Sequence, residues 1–318
     1  MPGMKGDRPV PLALALALLL FGLLILPGLM SARRERFSHR LTASQIEVAK
    51  FSEVLTLSAQ GPVKLVTAWG ERLEAGRAVV RLEAVMPELD ELASSKMAGN
   101  RLAREVAKLM ASRLIDLTLT DGITYHYQSV DASAGRAYAQ GEARQWRLEG
   151  KVRVSYQTTS GVVELSANYG TIHADRRTIE LVSPQGSIHS GEGRAELSGR
   201  QLSFPFELDR FTVEQGRLDF WRQGEHLTLE AEQVELVRQG REDRLIAEGK
   251  VSLKLRDLAV SCAKLTVEFP ARRAVAEGGV VISGAQGSTR ARSVVIDFSG
   301  PEVELSFLGQ EETIINLD

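Results

Sequence analysis

The residues best suited to metal or nucleophilic chemistry are few, and their spacing supports neither. The five histidines are His39, His126, His173, His189 and His226. None forms a His-x-x-x-His pair, and none stands at a zinc-ligand spacing from Cys262. His173 and His189 fall near the ends of strand-like patterns and read as solvated or structural. Cys262 is the single cysteine, so the chain has no internal disulfide and no CxxC site. It lies in an apolar alternation and reads as core packing. Gly191-Glu192-Gly193 lacks the strand–helix setting of a phosphate loop, and Lys250 falls inside a strand pattern. No Gly-x-Ser-x-Gly elbow is present. Glu230, Glu232 and Glu235 read as solvated carboxylates on a sheet surface. The sequence therefore predicts no enzyme, no metal site and no cofactor.

Composition narrows the class further. The chain has 318 residues, 43% hydrophobic and 25% charged, with a formal net charge of −2. That is the balance of a folded protein. It offers no basic field for nucleic acid, and 6% aromatic residues are few for stacking on bases.

The elements that could position a function start with residues 10–30. This run of Leu and Ala carries no charge. As a helix it covers roughly 30 Å, the hydrocarbon thickness of a bilayer. It is longer than the apolar region of a cleaved signal peptide, and cleavage after Ala32 would put Met30 at −3. The run predicts an uncleaved anchor. Lys5 and Arg8 precede it, while Arg33, Arg34, Arg36 and Arg40 follow it. A count of positive charges alone would hold the following domain in the cytoplasm. That rule weakens for long domains, and Glu35 interrupts the basic cluster.

Beyond the anchor the sequence repeats. An apolar alternation reaches a small residue, slips by one, and resumes. Leu165, Ala167, Gly170 and Ile172 form one copy; Leu197, Gly199, Leu202 and Phe204 form the next. The small residues Ala167, Gly199, Ala231, Cys262 and Ala291 are 32, 32, 31 and 29 residues apart. Between these copies stand Gly-x-apolar elements: Gly150 with Val152, Gly186 with Ile188, Gly216 with Leu218, Gly249 with Val251 and Gly279 with Val281. Around Gly249, Leu245, Ala247, Val251, Leu253 and Leu255 alternate with polar residues at period two. Each unit reads as two strands joined by a polar turn. The slip reads as a β-bulge that keeps one face inward. Repeated in every unit, it would curve the sheet into a trough with an apolar interior. Looser copies lie upstream at Leu73, Ala75, Ala78, Val80 and Leu82, and at Val130, Ala132, Gly135 and Ala137.

Residues 86–116 change character. Leu89, Leu92, Leu102, Val106, Leu109, Met110 and Leu114 recur mainly at three- and four-residue steps, which predicts a helical insertion broken near Gly99-Asn100.

One span, a linker and a curved all-β domain resemble the lipopolysaccharide-transport bridge family. Residues 163–170 and 179–188 look like its anchored LptC-like component. Residues 227–298, above all Ala247-Glu-Gly-Lys-Val251 and Ala274-Val-Ala-Glu-Gly278, look like LptA/OstA-like β repeats. The resemblance covers residues 40–85 and 117–307. It implies an elongated, curved antiparallel β-jellyroll, an open taco that shields acyl chains of lipopolysaccharide or a related glycolipid. It also implies docking on an inner-membrane ABC transporter complex, and sheet-edge pairing with other β-jellyroll bridge proteins.

The resulting expectation is all-β, with one N-terminal transmembrane helix and a helical insertion. It divides the chain into a cytoplasmic tail (1–9), an anchor (10–30) and a juxtamembrane linker (31–44). A first β segment (45–85), the insertion (86–116), an LptC-like segment (117–210) and an LptA/OstA-like segment (211–307) follow. Residues 308–318 are a tail or an edge strand. The expected location is the inner membrane, single-pass, with the C-terminal domain in the periplasm. The expected lining is Leu229, Val234, Leu236, Val251, Leu253, Leu265, Val267, Val294 and Ile296. The competing expectation is a structural or adhesive β-solenoid of the cell envelope with a filled core and no lipid.

Overall fold

A computed structural model describes residues 40–51, 54–67, 70–83, 114–140, 145–158, 161–190, 193–207, 209–222, 225–239, 242–269, 271–284, 287–300 and 302–315. Among them the regular structure is all strand, in one antiparallel sheet of 19 strands. The anchor run at 10–30 and most of the predicted insertion lie outside the described residues. Among the described residues, no helix is long and apolar enough to cross a membrane.

The first strands are β1 (Arg40–Thr42), β2 (Gln45–Phe51), β3 (Val54–Val66) and β4 (Arg72–Glu83). Next come β5 (Leu114–Tyr127), β6 (Val130–Gln140), β7 (Gln145–Thr158) and β8 (Gly161–His173). Shorter strands occupy the middle: β9 (Thr178–Val182), β10 (Gln185–Ser190), β11 (Gly193–Ser198) and β12 (Gln201–Pro205). Long strands then resume with β13 (Arg210–Arg222), β14 (Glu225–Gln239), β15 (Glu242–Leu255) and β16 (Leu258–Glu268). The last three are β17 (Arg273–Gly284), β18 (Gly287–Asp297) and β19 (Glu304–Ile315).

The strands follow one another as a meander. β1 and β2 pair with opposite ends of β3, so together they make one interrupted strand. The same holds for β9 and β10 on β8, and for β11 and β12 on β13. The sheet is continuous across residue 210, because β13 pairs with β11 and β12 on one side and β14 on the other. The segments expected at 117–210 and 211–307 therefore share one ladder.

Nearly every long strand is bent near its middle, and two kinds of corner alternate. In one kind, buried positions skip by three: Ala75 to Ala78, Ala167 to Gly170, Ala231 to Val234, Cys262 to Leu265 and Ala291 to Val294. These are the predicted slips. In β6 the slip runs from Ala134 to Ala137, with Gly135 exposed, rather than from Ala132 to Gly135. In the other kind, two successive residues take left-handed φ. They are Asp121-Gly122 (68° and 80°), Gly150-Lys151 (76° and 53°), Gly249-Lys250 (74° and 48°) and Gly278-Gly279 (81° and 69°). Buried positions then skip by four, for example from Ala247 to Val251. The period-two alternation through Gly249 thus passes over a corner. Glycine suits it because φ is positive, and at Gly249 and Gly278 space is short as well. A Cβ on Gly278 would lie 2.7 Å from the Ala263 Cβ.

The corners fold the sheet into two facing layers. Layer A holds the strand halves that include Val54–Gln60, Gln145–Glu149, Glu242–Glu248 and Lys264–Glu268. Layer B holds the other halves. Contacts between strand ends demonstrate the facing. Tyr127 of layer B meets Phe206 of layer A, ring centroids 5.4 Å apart. Phe220 of layer B meets Phe269 of layer A at 5.5 Å. In a flat sheet the last two would be roughly 35 Å apart along the strand direction alone, at about 3.3 Å per residue. The Arg177 guanidinium donates to Gln128 Oε1 at 3.0 Å, joining a turn of one layer to a turn of the other.

Three sequence boundaries change. Residues 40–42, expected in the linker, form β1. Residues 114–116, expected in the helical insertion, begin β5. Leu114 is three residues from Leu117, a helical spacing, but a register shift opposite Arg81-Leu82 produces that spacing within a strand. There the Asp116 carboxylate is buried and paired with the Arg81 guanidinium. Residues 308–315 are an edge strand rather than a tail, since β19 pairs with β18 alone.

Candidate functional site

The space between the layers is lined by one continuous apolar cluster, running from Leu41 through Ile296. All nine predicted lining residues face it. Eight of them are no more than 2% exposed, and Leu236 is partly buried. They fall into ladders across the strands. Val234, Ala247, Leu265, Ala276 and Val294 pair in succession on layer A. Leu229, Leu253, Val260 and Ile282 do so on layer B. Each ladder exists because the corners restore the inward phase on both sides of the bend.

Cys262 stands on the inner face, and burial pushes its thiol up to about 11. Its thiol is thus held in the neutral form among the packed inner-face residues. The outer-face carboxylates singled out earlier are ion-paired. Glu230 meets Arg217 at 3.2 Å, Glu232 meets Lys250 at 3.1 Å and Glu235 meets Arg210 at 2.7 Å. His189 contacts Ser187 at 3.0 Å, and His173 lies 3.5 Å from Glu180. No group of three or more potential metal ligands occurs among the described residues.

The enclosure differs between its two ends. Near the N-terminal end, inward side chains such as Leu55, Leu82, Tyr125, Trp146 and Ile172 are buried, and only Tyr127 and Tyr156, at strand ends of layer B, are partly covered there among the described inward residues of β3 to β8. Although Leu255 is buried, more of the strand-end residues toward the C-terminal end are only partly covered. They are Ile188, Phe220, Leu227 and Leu258 on layer B, and Leu236, Phe269 and Phe298 on layer A. These residues make a seam between the lips of the two layers. At the last strand, Phe307 and Leu308 are 38% and 70% exposed.

A buried polar cluster, absent from the sequence reading, lies at the N-terminal end. The Glu71 carboxyl is fully buried. It accepts from Thr67 Oγ1 and from Tyr125 Oη, each at 2.9 Å. The indole N–H of Trp146, on the opposite layer, also bears on this carboxyl but makes no hydrogen bond of ordinary geometry. Burial raises the Glu71 pKa above the usual carboxylate value, against the lowering effect of these donors. Burial and the adjacent Glu71 charge likewise raise the Tyr125 phenol. In the sequence, Thr67-Ala-Trp-Gly-Glu71 has only the signature of a hairpin turn. Nothing in it tells that the last carboxylate points inward.

No protein-family model matches the chain, and no curated protein matches it.

Proposed function

We propose that this protein is a membrane-anchored, periplasmic lipid-transfer protein. Its two layers shield the acyl chains of lipopolysaccharide or a related glycolipid between an inner-membrane ABC transporter and the outer membrane. The sheet then corresponds to the β-jellyroll of the bridge family, and residues 10–30 to its anchor. One observation carries this reading: an unbroken inner apolar face, ending along one side in a seam of half-covered Phe, Leu and Ile. Exposed apolar surface of this kind is costly unless something covers it.

The lining acts passively. Acyl chains entering at the seam replace side-chain contacts with contacts of similar chemistry, so separating the layers need not expose apolar surface to water. β19 has a strand partner on one side only and carries exposed Phe307 and Leu308. That edge suits a further β-jellyroll protein adding a strand.

The β-solenoid without lipid is the second reading. The near-complete burial of the inward residues favours it, because the interior is closed by its own side chains. Lipid analysis of the protein extracted from its native membrane separates the two. Co-purifying lipid A is the expected result. Lipid-free protein from membranes rich in lipopolysaccharide would overturn the transfer reading and favour the solenoid.

A further inference from the structure

The outer face of layer B carries a second, polar concavity that the lipid reading does not use. It comprises adjoining hollows of about 780, 480 and 310 Å³ that share Ser166 and Gln185. Its floor is built from two parallel rows of outward residues, one residue per strand. The first row pairs Thr124, Ser133, Arg153, Ser166, Gln185 and Ser198 in succession. The second pairs Asp131, Ser155, Glu164, Ser187, Glu196 and Asp219. The serines at the centre are short, which leaves the floor low between longer side chains.

Charge at the rim is largely compensated. His126 Nδ1 lies 2.6 Å from Asp131, Arg194 pairs with Glu196, and Arg217 Nε lies 2.9 Å from Asp219. Arg153 and Glu164, on adjacent strands in the largest hollow, have no side-chain partner among the described residues. The largest hollow therefore offers hydroxyls, one amide and, among the described residues, one cation and one anion without a side-chain partner, and Lys151 lines the smallest hollow.

These features narrow the occupant. Balanced charge gives no hold on a nucleic-acid backbone. The floor lacks the aromatic and aliphatic anchors that carry protein interfaces. A sheet face has its backbone groups already paired, so it cannot accept an added strand. Hydroxyls and amides both donate and accept, which matches a ligand dense in hydroxyls. The rows repeat at the inter-strand spacing of about 4.8 Å, so the six strands of either row offer similar groups over roughly 25 Å.

We propose that this outer groove binds a linear, uncharged oligosaccharide lying across strands β6, β7, β8, β10 and β11, with Arg153 and Glu164 as its central hydrogen-bonding pair. The proposal stands apart from the lipid interior, because its residues point away from the apolar core. The ligand is a free oligosaccharide, and the micelle arm of the test separates it from a glycolipid held through its acyl chains.

The full chain would be titrated with cellohexaose, chitohexaose and maltohexaose by calorimetry, and separately with lipopolysaccharide micelles. At least one soluble hexasaccharide is expected to bind with Kd below about 1 mM. Ser155→Trp, which fills the floor, and Glu164→Gln should each weaken binding at least tenfold with unchanged circular dichroism. Binding of micelles alone would overturn the proposal, as would no binding in either arm. Hexasaccharide binding that survives both substitutions would overturn it equally.

Discussion

The rings of Phe220 and Phe269 lie 5.5 Å apart at an interplanar angle of 49°, and they come from opposite layers of the folded sheet. Between them the chain runs outward along β14, turns, returns along β15 and continues along β16. Their contact closes the seam at the point where neighbouring inward residues are only partly covered.

That contact predicts energetic coupling. Phe220→Ala and Phe269→Ala, singly and together, should give a coupling energy of about 0.5–1.5 kcal/mol in urea unfolding. Strict additivity would mean that the two layers do not meet there.

The corners predict a graded glycine series. Gly278 and Gly279 both have positive φ, but only Gly278 is crowded, by Ala263; nothing lies within 4 Å of a Cβ on Gly279. Gly279→Ala should cost the left-handed backbone penalty alone, about 1–2 kcal/mol. Gly278→Ala should cost clearly more, read as a lower midpoint in thermal or urea unfolding. Equal costs would show that the close approach of the strands contributes nothing.

Glu71 predicts a pH dependence of definite sign. Its folded pKa is raised, so the folded state holds this proton more tightly than the unfolded chain. Its contribution to stability is therefore most favourable below the ordinary carboxylate pKa. It falls as pH rises from there through the raised folded value. Glu71→Gln removes this titration. The variant's stability relative to wild type should improve between pH 4 and pH 8 in urea unfolding at fixed salt. A difference independent of pH would mean that Glu71 titrates alike in both states.

Much of the architecture was legible because it is written in periodicity. Leu73 through Leu82, and Val260 through Val267, carry the inward phase and its one-residue slip in their apolar residues. The second kind of corner escaped for a definite reason. Two left-handed residues at Gly249-Lys250 leave the odd-numbered positions inward on both sides, so alternation looks unbroken. The contacts of Phe220 with Phe269 and of Tyr127 with Phe206 join residues far apart in the chain, and no local pattern encodes them. The inward lining could be read from single strands. The Glu71 cluster could not, since it needs a turn, β5 and the opposite layer brought together. The polar groove was missed because its residues look like ordinary solvated positions until the register aligns them.

The central claim is that the inner face holds acyl chains. A photo-crosslinking residue placed in turn at Val251, Ser252, Leu253 and Lys254 tests it most directly, in cells making lipopolysaccharide. Val251 and Leu253 are buried on the inner face, whereas Ser252 and Lys254 point outward. The predicted result is lipopolysaccharide adducts at Val251 and Leu253 and none at Ser252 or Lys254. Adducts confined to Ser252 and Lys254, or none at either inward position in a correctly folded protein, would contradict it.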